Sequence, residues 1–148
     1  MIPVCVLTAT LGGAGYVPKA SGTLGTFIGL LICLFLPTST VLYLVLTVAV
    51  IAVSIPVSFR AEQFFGRDDD RRIIIDELAG FMVAVAFIPK TFLLYGCAFV
   101  LFRFFDITKI VFIDRTQKLP VGIGVVADDV LAGLYANFIL QLCLVFLK

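Results

Sequence analysis

The chain has 148 residues, a formal net charge of +1 and no histidine, and 61% of it is hydrophobic. Soluble domains are only about half apolar, so the composition, with a mean hydropathy of +1.16, excludes an ordinary soluble globule and calls for lipid as the solvent. The balanced charge, with no basic cluster interleaved with aromatics, excludes a nucleic-acid partner.

The length reads as a single domain over residues 1–148. Cys5, Cys33, Cys97 and Cys143 stand singly in apolar context. They read as small buried hydrophobes, without the spacing of a zinc site or a disulfide framework. No charged region precedes a cleavable apolar run at the N-terminus, so no signal peptide is expected.

In chain order, Met1–Thr10 is apolar but too short to span a bilayer, and Gly12, Gly13 and Gly15 break it. Pro18–Thr23 is a turn with N-cap candidates, followed by the apolar run Leu24–Leu36. Pro37–Thr40 turns the chain into Val41–Val57, with Pro56 near its end. A polar patch, Ser58–Arg72, leads through Ile73–Ile75 and Asp76-Glu77 to the apolar run Leu78–Ile88. Pro89-Lys90 is a short turn before Thr91–Phe102. Arg103–Pro120 is charged and amphipathic, and Val130–Leu147 is the last apolar run.

A spanning helix takes about 20 residues. Val41–Val57 and Val130–Leu147 meet that length unaided; the other runs need flanking residues. The expected fold is an all-α polytopic membrane bundle of about four to five apolar helices, and an unusually apolar soluble bundle is the alternative. If each run crosses once, all ten acids and nine of the eleven basic residues fall on one face, leaving only Lys90 and Lys148 on the other. The positive-inside rule makes that face cytoplasmic, which predicts a multi-pass membrane protein.

Four polar segments then meet at one surface. Ser21-Gly22-Thr23-Leu24-Gly25-Thr26 opens a helix whose N–H groups suit an anion; plain N-capping is the simpler reading. Asp76-Glu77-Leu78-Ala79-Gly80 places two acids in a first turn, for the helix dipole or for a metal. In Phe102–Lys109, Arg103, Asp106 and Lys109 recur every three residues and share a helical face. An ion-pair ladder is the simpler reading there, but the flanking Phe104, Phe105 and Ile107 turn that face inward, where Arg and Lys suit a phosphate held beside a metal ligand.

The fourth segment, Val121–Gly133, carries Asp128 and Asp129 at the mouth of the last apolar run. Unpaired carboxylates beside lipid cost several kcal/mol, so the pair must find water or a cation. Oxygen donors without His or Cys favour magnesium or manganese over zinc. Asp68-Asp69-Asp70 runs into Arg71-Arg72 and reads as a solvated loop. Cys97 and Arg103 have the spacing of a cysteine-phosphatase loop, but the five residues between them are an apolar helix rather than a phosphate cradle.

These four motifs, in this order, resemble the bacterial phosphatidylglycerophosphatase A family, and the resemblance covers nearly the whole chain. It implies a mainly helical phosphatase that uses Mg²⁺ to remove the terminal phosphate of phosphatidylglycerophosphate, giving phosphatidylglycerol. Mapped onto this chain, it implies that Asp76, Asp106, Asp128 and Asp129 hold the metal, with Glu77 as ligand or base. Ser21, Gly22, Thr23, Arg103 and Lys109 are then expected to hold the phosphate. The chain departs from the family's usual pattern at Ser21, where proline is common, and at Ile110–Ile113, again in place of prolines.

Two other classes compete. A CDP-alcohol-type lipid phosphotransferase also uses membrane-surface aspartates and a divalent cation, but its Asp-Gly and Ala-Arg spacing is absent. A small ion-binding transporter predicts charges within the spans, and the threading places none there. Lipid phosphatases that work through a phosphohistidine are excluded, because the chain has no histidine.

Overall fold

A computed structural model describes residues 3–109 and 122–146. The described residues form helices and turns without a strand: α1 (Val4–Ala9), a 3₁₀ turn (Ala14–Tyr16), α2 (Ser21–Phe35), α3 (Thr40–Phe65), α4 (Ile75–Ala84), α5 (Phe92–Thr108) and α6 (Ile123–Phe146). The expected part of the charged stretch beyond Lys109, the departure at Ile110–Ile113 and the placement of Lys148 fall outside the described residues.

The ten-residue α4 is the centre. α4 packs against α2, α3, α5 and α6, and eight of its ten residues are buried. A helix apolar all round belongs inside a bundle, and α4 is apolar all round below its first turn. Phe81 meets Phe102 edge-on at 6.1 Å and Tyr95 at 6.4 Å, the offset geometry that aromatic pairs prefer.

Contact between α4 and α6 depends on two glycines. A Cβ on Gly80 would stand 2.5 Å from the Asp129 carbonyl oxygen and 2.7 Å from a Phe102 ring carbon. One on Gly133 would collide with the Gly80 carbonyl. Small residues at such a crossing let two backbones approach closely. Gly80 lies four residues after Asp76, and Gly133 four residues after Asp129. The crossing therefore sits one turn below the carboxylates on both helices and draws those carboxylates together.

Among the described residues, two helices are long and apolar enough to cross a bilayer: Thr40–Phe65 and Ile123–Phe146, with only 17% and 28% of their most apolar windows buried. Their outer faces carry exposed Val41, Val45, Val48, Phe138 and Val145, so apolar surface points outward, which marks association with a membrane. The count of spanning-length helices is thus lower than the four to five expected. α2, α4 and α5 belong to the same apolar bundle, but at 15, 10 and 17 residues they are too short to qualify.

Other boundaries moved as well. The run read as ending at Val57 continues through Pro56 as helix to Phe65, because Ser58, Ala61 and Glu62 turn inward and are buried. α6 begins at Ile123, after Gly122 at φ 82, so Asp128 and Asp129 lie within the helix rather than ahead of it. The cysteines are all free, but only Cys33 is fully buried; Cys97 and Cys143 are exposed on the apolar outer surface.

The polar segments do collect at one end of the bundle. The starts of α2, α4 and α6 and the ends of α3 and α5 meet there. At the other end the Lys90 ammonium donates to the Leu36 carbonyl that closes α2, and the Asn137 amide donates to the carbonyls of Ala84, the last residue of α4, and Ala86 just beyond it. Each thereby satisfies carbonyls that a helix leaves open at its C-terminus.

Candidate active site

At the polar end, one carboxylate oxygen each from Asp76, Glu77 and Asp129 lies within 4.8 Å of the others. Asp76 and Asp129 are only 4% and 5% exposed. Asp76 and Glu77, adjacent on α4, both reach the shared space, whereas Asp128 and Asp129, adjacent on α6, divide. Asp129 joins the cluster. Asp128 turns aside to the Lys109 ammonium, 3.3 Å away.

Asp106, on the last turns of α5, accepts a 2.5 Å bond from the Arg103 guanidinium and lies close enough to Asp129 to act on its charge. The cluster is thus Asp76, Glu77 and Asp129. Asp106 borders it, and Asp128 is tied to the cation on its flank.

Burial dominates the electrostatics of this group. It lifts the Asp76 carboxyl to about 6. Glu77 is pushed well above the usual carboxylate range, first by burial and then by the negative charges of Asp76, Asp129 and Asp106. Glu77 Oε2 is buried with no hydrogen-bond partner among the described residues, and so is Arg103 Nε. A divalent cation would relieve that repulsion and ligate the orphaned oxygen. A donor set of carboxylates alone suits Mg²⁺, Mn²⁺ or Ca²⁺. The residues therefore fit a hard divalent cation.

The start of α2 forms the opposite wall. A Cβ on Gly22 would stand 2.5 Å from Glu77 Oε1 and about 3 Å from both terminal nitrogens of Arg103. Only glycine lets the carboxylate and the guanidinium come up to the helix start. The hydroxyls expected to cap α2 do not do so: Ala20 is the N-cap, with no side-chain capping bond. Ser21, Gly22 and Thr23 instead line a cavity of about 630 Å³ together with Glu77, Arg103 and Lys109. First-turn N–H groups without a capping side chain attract anions.

The Asp68–Arg72 loop is more structured than the sequence implied. Asp70 is buried and holds Arg72 through 2.7 and 2.8 Å bonds, and the Arg72 guanidinium stacks 3.8 Å from the Phe65 ring centre. The arginine beside Asp70 holds its carboxyl below the usual range. Asp69 reaches to 3.9 Å from Lys109. Burial disfavours the Lys109 charge, yet Asp69 and Asp128 still hold its pKa above the ordinary value. Asp68 and Asp69 remain exposed, as the solvated-loop reading expects, and Asp70 alone of the three is buried.

Sequence reasoning missed Glu62. It is buried in α3 and accepts a 2.9 Å bond from the Asp69 backbone N–H. Glu62 lies beside Arg60 and Gln63 within the polar patch, so nothing local signalled its burial.

A carboxylate cluster beside a cavity with an uncapped helix start, on a bundle with apolar outer helices, suits a membrane-associated hydrolase of phosphomonoesters. Residues 7–144 match the family described as Phosphatidylglycerophosphatase A, and the chain belongs to that family, whose work lies in phospholipid metabolism. Among curated relatives, a Haemophilus influenzae protein named Phosphatidylglycerophosphatase A is 32% identical over 84% of this chain and 78% of its own. A Bacteroides thetaiotaomicron protein, named provisionally as a phosphatidylinositol-3-phosphatase, is 33% identical over 91% of this chain and 89% of its own. No solved structure matches the chain.

Proposed function

We propose that this protein is a magnesium-dependent phosphatase that removes the terminal phosphate from phosphatidylglycerophosphate, working at the cytoplasmic face of a bacterial inner membrane. The observation that carries the reading is the convergence of Asp76, Glu77 and Asp129 within 4.8 Å, beside Arg103 and the start of α2.

In this reading Asp76, Glu77 and Asp129 hold Mg²⁺, with Asp106 adjoining. A bound Mg²⁺ polarises a phosphoryl oxygen and shields charge that develops in transfer. The Arg103 guanidinium and the N–H groups of Ser21, Gly22 and Thr23 bind and orient the terminal phosphate. The planar fork of arginine suits phosphate, and Asp106 fixes its direction. Lys109 adds positive charge at the rim and holds Asp128 in place. Glu77 ligates the ion through one carboxylate oxygen, and its other oxygen accepts a proton from the attacking water. The apolar outer helices let the acyl chains stay in lipid while the head group reaches the cavity from the surface.

The Bacteroides relative favours a second reading, a phosphoinositide 3-phosphate as substrate. Both substrates join a phosphomonoester to a lipid phosphodiester, and they differ in the alcohol between. Phosphate release from each lipid by detergent-purified protein, with and without Mg²⁺, separates the two. Release from phosphatidylglycerophosphate that needs both Mg²⁺ and Asp129 supports the proposal. Full activity in a folded Asp129→Asn protein, or release from the inositol lipid alone, removes it.

A further inference from the structure

Five cations line the same cavity: Lys19, Arg71, Arg72, Arg103 and Lys109. Three are committed. Arg103 is bonded to Asp106, Arg72 to Asp70, and Lys109 to Asp128 and Asp69. Lys19 and Arg71 have neither an ion pair nor a side-chain hydrogen bond among the described residues. They come from separate segments, the turn before α2 and the loop before α4, yet both line this cavity. Lys19 is held there at φ 70, a left-handed backbone that a lysine rarely adopts. Both side chains are exposed, and Glu77, Asp69 and Asp106 also line the cavity, but neither Lys19 nor Arg71 is tied to them, so both are left to meet an anion that enters.

The cavity is also large for its assigned task. At about 630 Å³ it matches pockets that hold a whole small ligand, whereas Arg103 and the start of α2 account for one phosphate. Phosphatidylglycerophosphate carries two: the terminal monoester and the diester that joins glycerol to the lipid. We propose that Lys19 and Arg71 form a second anion subsite, which takes the phosphodiester of the lipid head group while the monoester sits at Arg103. The inference rests on the lipid-phosphatase reading above. It makes Lys19 and Arg71 specificity determinants, because the span between the two phosphates is set by the alcohol that links them.

The test is direct binding of glycerophosphoglycerol, the water-soluble head group with the diester and no monoester, to the full-length protein in a neutral detergent. Titration calorimetry should show saturable binding, weakened about tenfold by Lys19→Ala and by Arg71→Ala, the usual effect of losing one charge-assisted hydrogen bond. In turnover, KM for phosphatidylglycerophosphate should rise about tenfold in Arg71→Ala while kcat changes little, the signature of lost ground-state binding. Head-group binding that is absent, or equally tight in both variants, overturns the subsite. Binding that the variants weaken, in a protein that releases no phosphate from phosphatidylglycerophosphate, leaves the subsite standing and removes the substrate reading.

Discussion

Gly80→Ala should separate the two halves of the site without touching a charged group. The new methyl would begin 2.5 Å from the Asp129 carbonyl oxygen, where ordinary contact starts near 3.4 Å, so α4 and α6 must part by roughly 0.9 Å. The obstacle is backbone, which cannot swing aside as a side chain would. Alanine favours a helix over glycine by about 1 kcal/mol, but overpacking costs about 1–3 kcal/mol, so the net change is a loss of about 1 kcal/mol. The effect on function is larger, because a misplacement of about 1 Å can cost on the order of 100-fold in rate. Phosphate release per folded protein, measured beside thermal unfolding in detergent, gives both numbers. Gly96→Ala is the control: nothing lies within 4 Å of its Cβ position, so it should gain up to about 1 kcal/mol of stability and keep full activity. A Gly80→Ala protein as active and stable as the wild type would refute the close crossing as the device that assembles the carboxylates.

Other outcomes are expected at the same site and away from it. Mg²⁺ should raise the unfolding temperature of the wild type, since a ligand of the folded state stabilises it, and should leave Asp129→Asn unmoved; equal shifts in both proteins would remove Asp129 from the metal set. Arg103→Lys keeps the charge but loses the planar fork, and should lower kcat/KM about tenfold or more; an unchanged value would show that only charge is needed. The Asp70–Arg72 pair should confer stability above the unfolded carboxyl value of 3.8 and lose it as pH falls through the lower folded value. The stability gap between wild type and Asp70→Asn should therefore close in acid below about pH 4, and a gap that persists there would refute the pairing. Tyr43→Phe removes a 2.7 Å bond to the Met82 carbonyl at the end remote from the carboxylates. It should cost about 1 kcal/mol with activity retained, as unfolding and turnover measurements would show.

The sequence by itself determined the lipid-facing class, the all-helical fold and the four polar motifs at one end of the bundle. Those properties depend on local composition and on the order of apolar runs, both written directly in the chain. That any cluster of charged donors would be carboxylates was legible for the same reason, because the chain has no histidine. Tertiary structure alone decided which acids meet. Asp128 and Asp129 are neighbours in sequence, but the helical turn between them sends one to Lys109 and the other to Asp76 and Glu77. Asp70 looked like one acid of a solvated run until the fold buried it against Arg72. The number of spanning-length helices also depended on packing, since α4 is short and central rather than long and lipid-facing. Each of these outcomes turns on the direction of a side chain or the distance between two backbones. Such quantities are fixed by contacts between residues remote in sequence, above all the glycine crossing of α4 and α6.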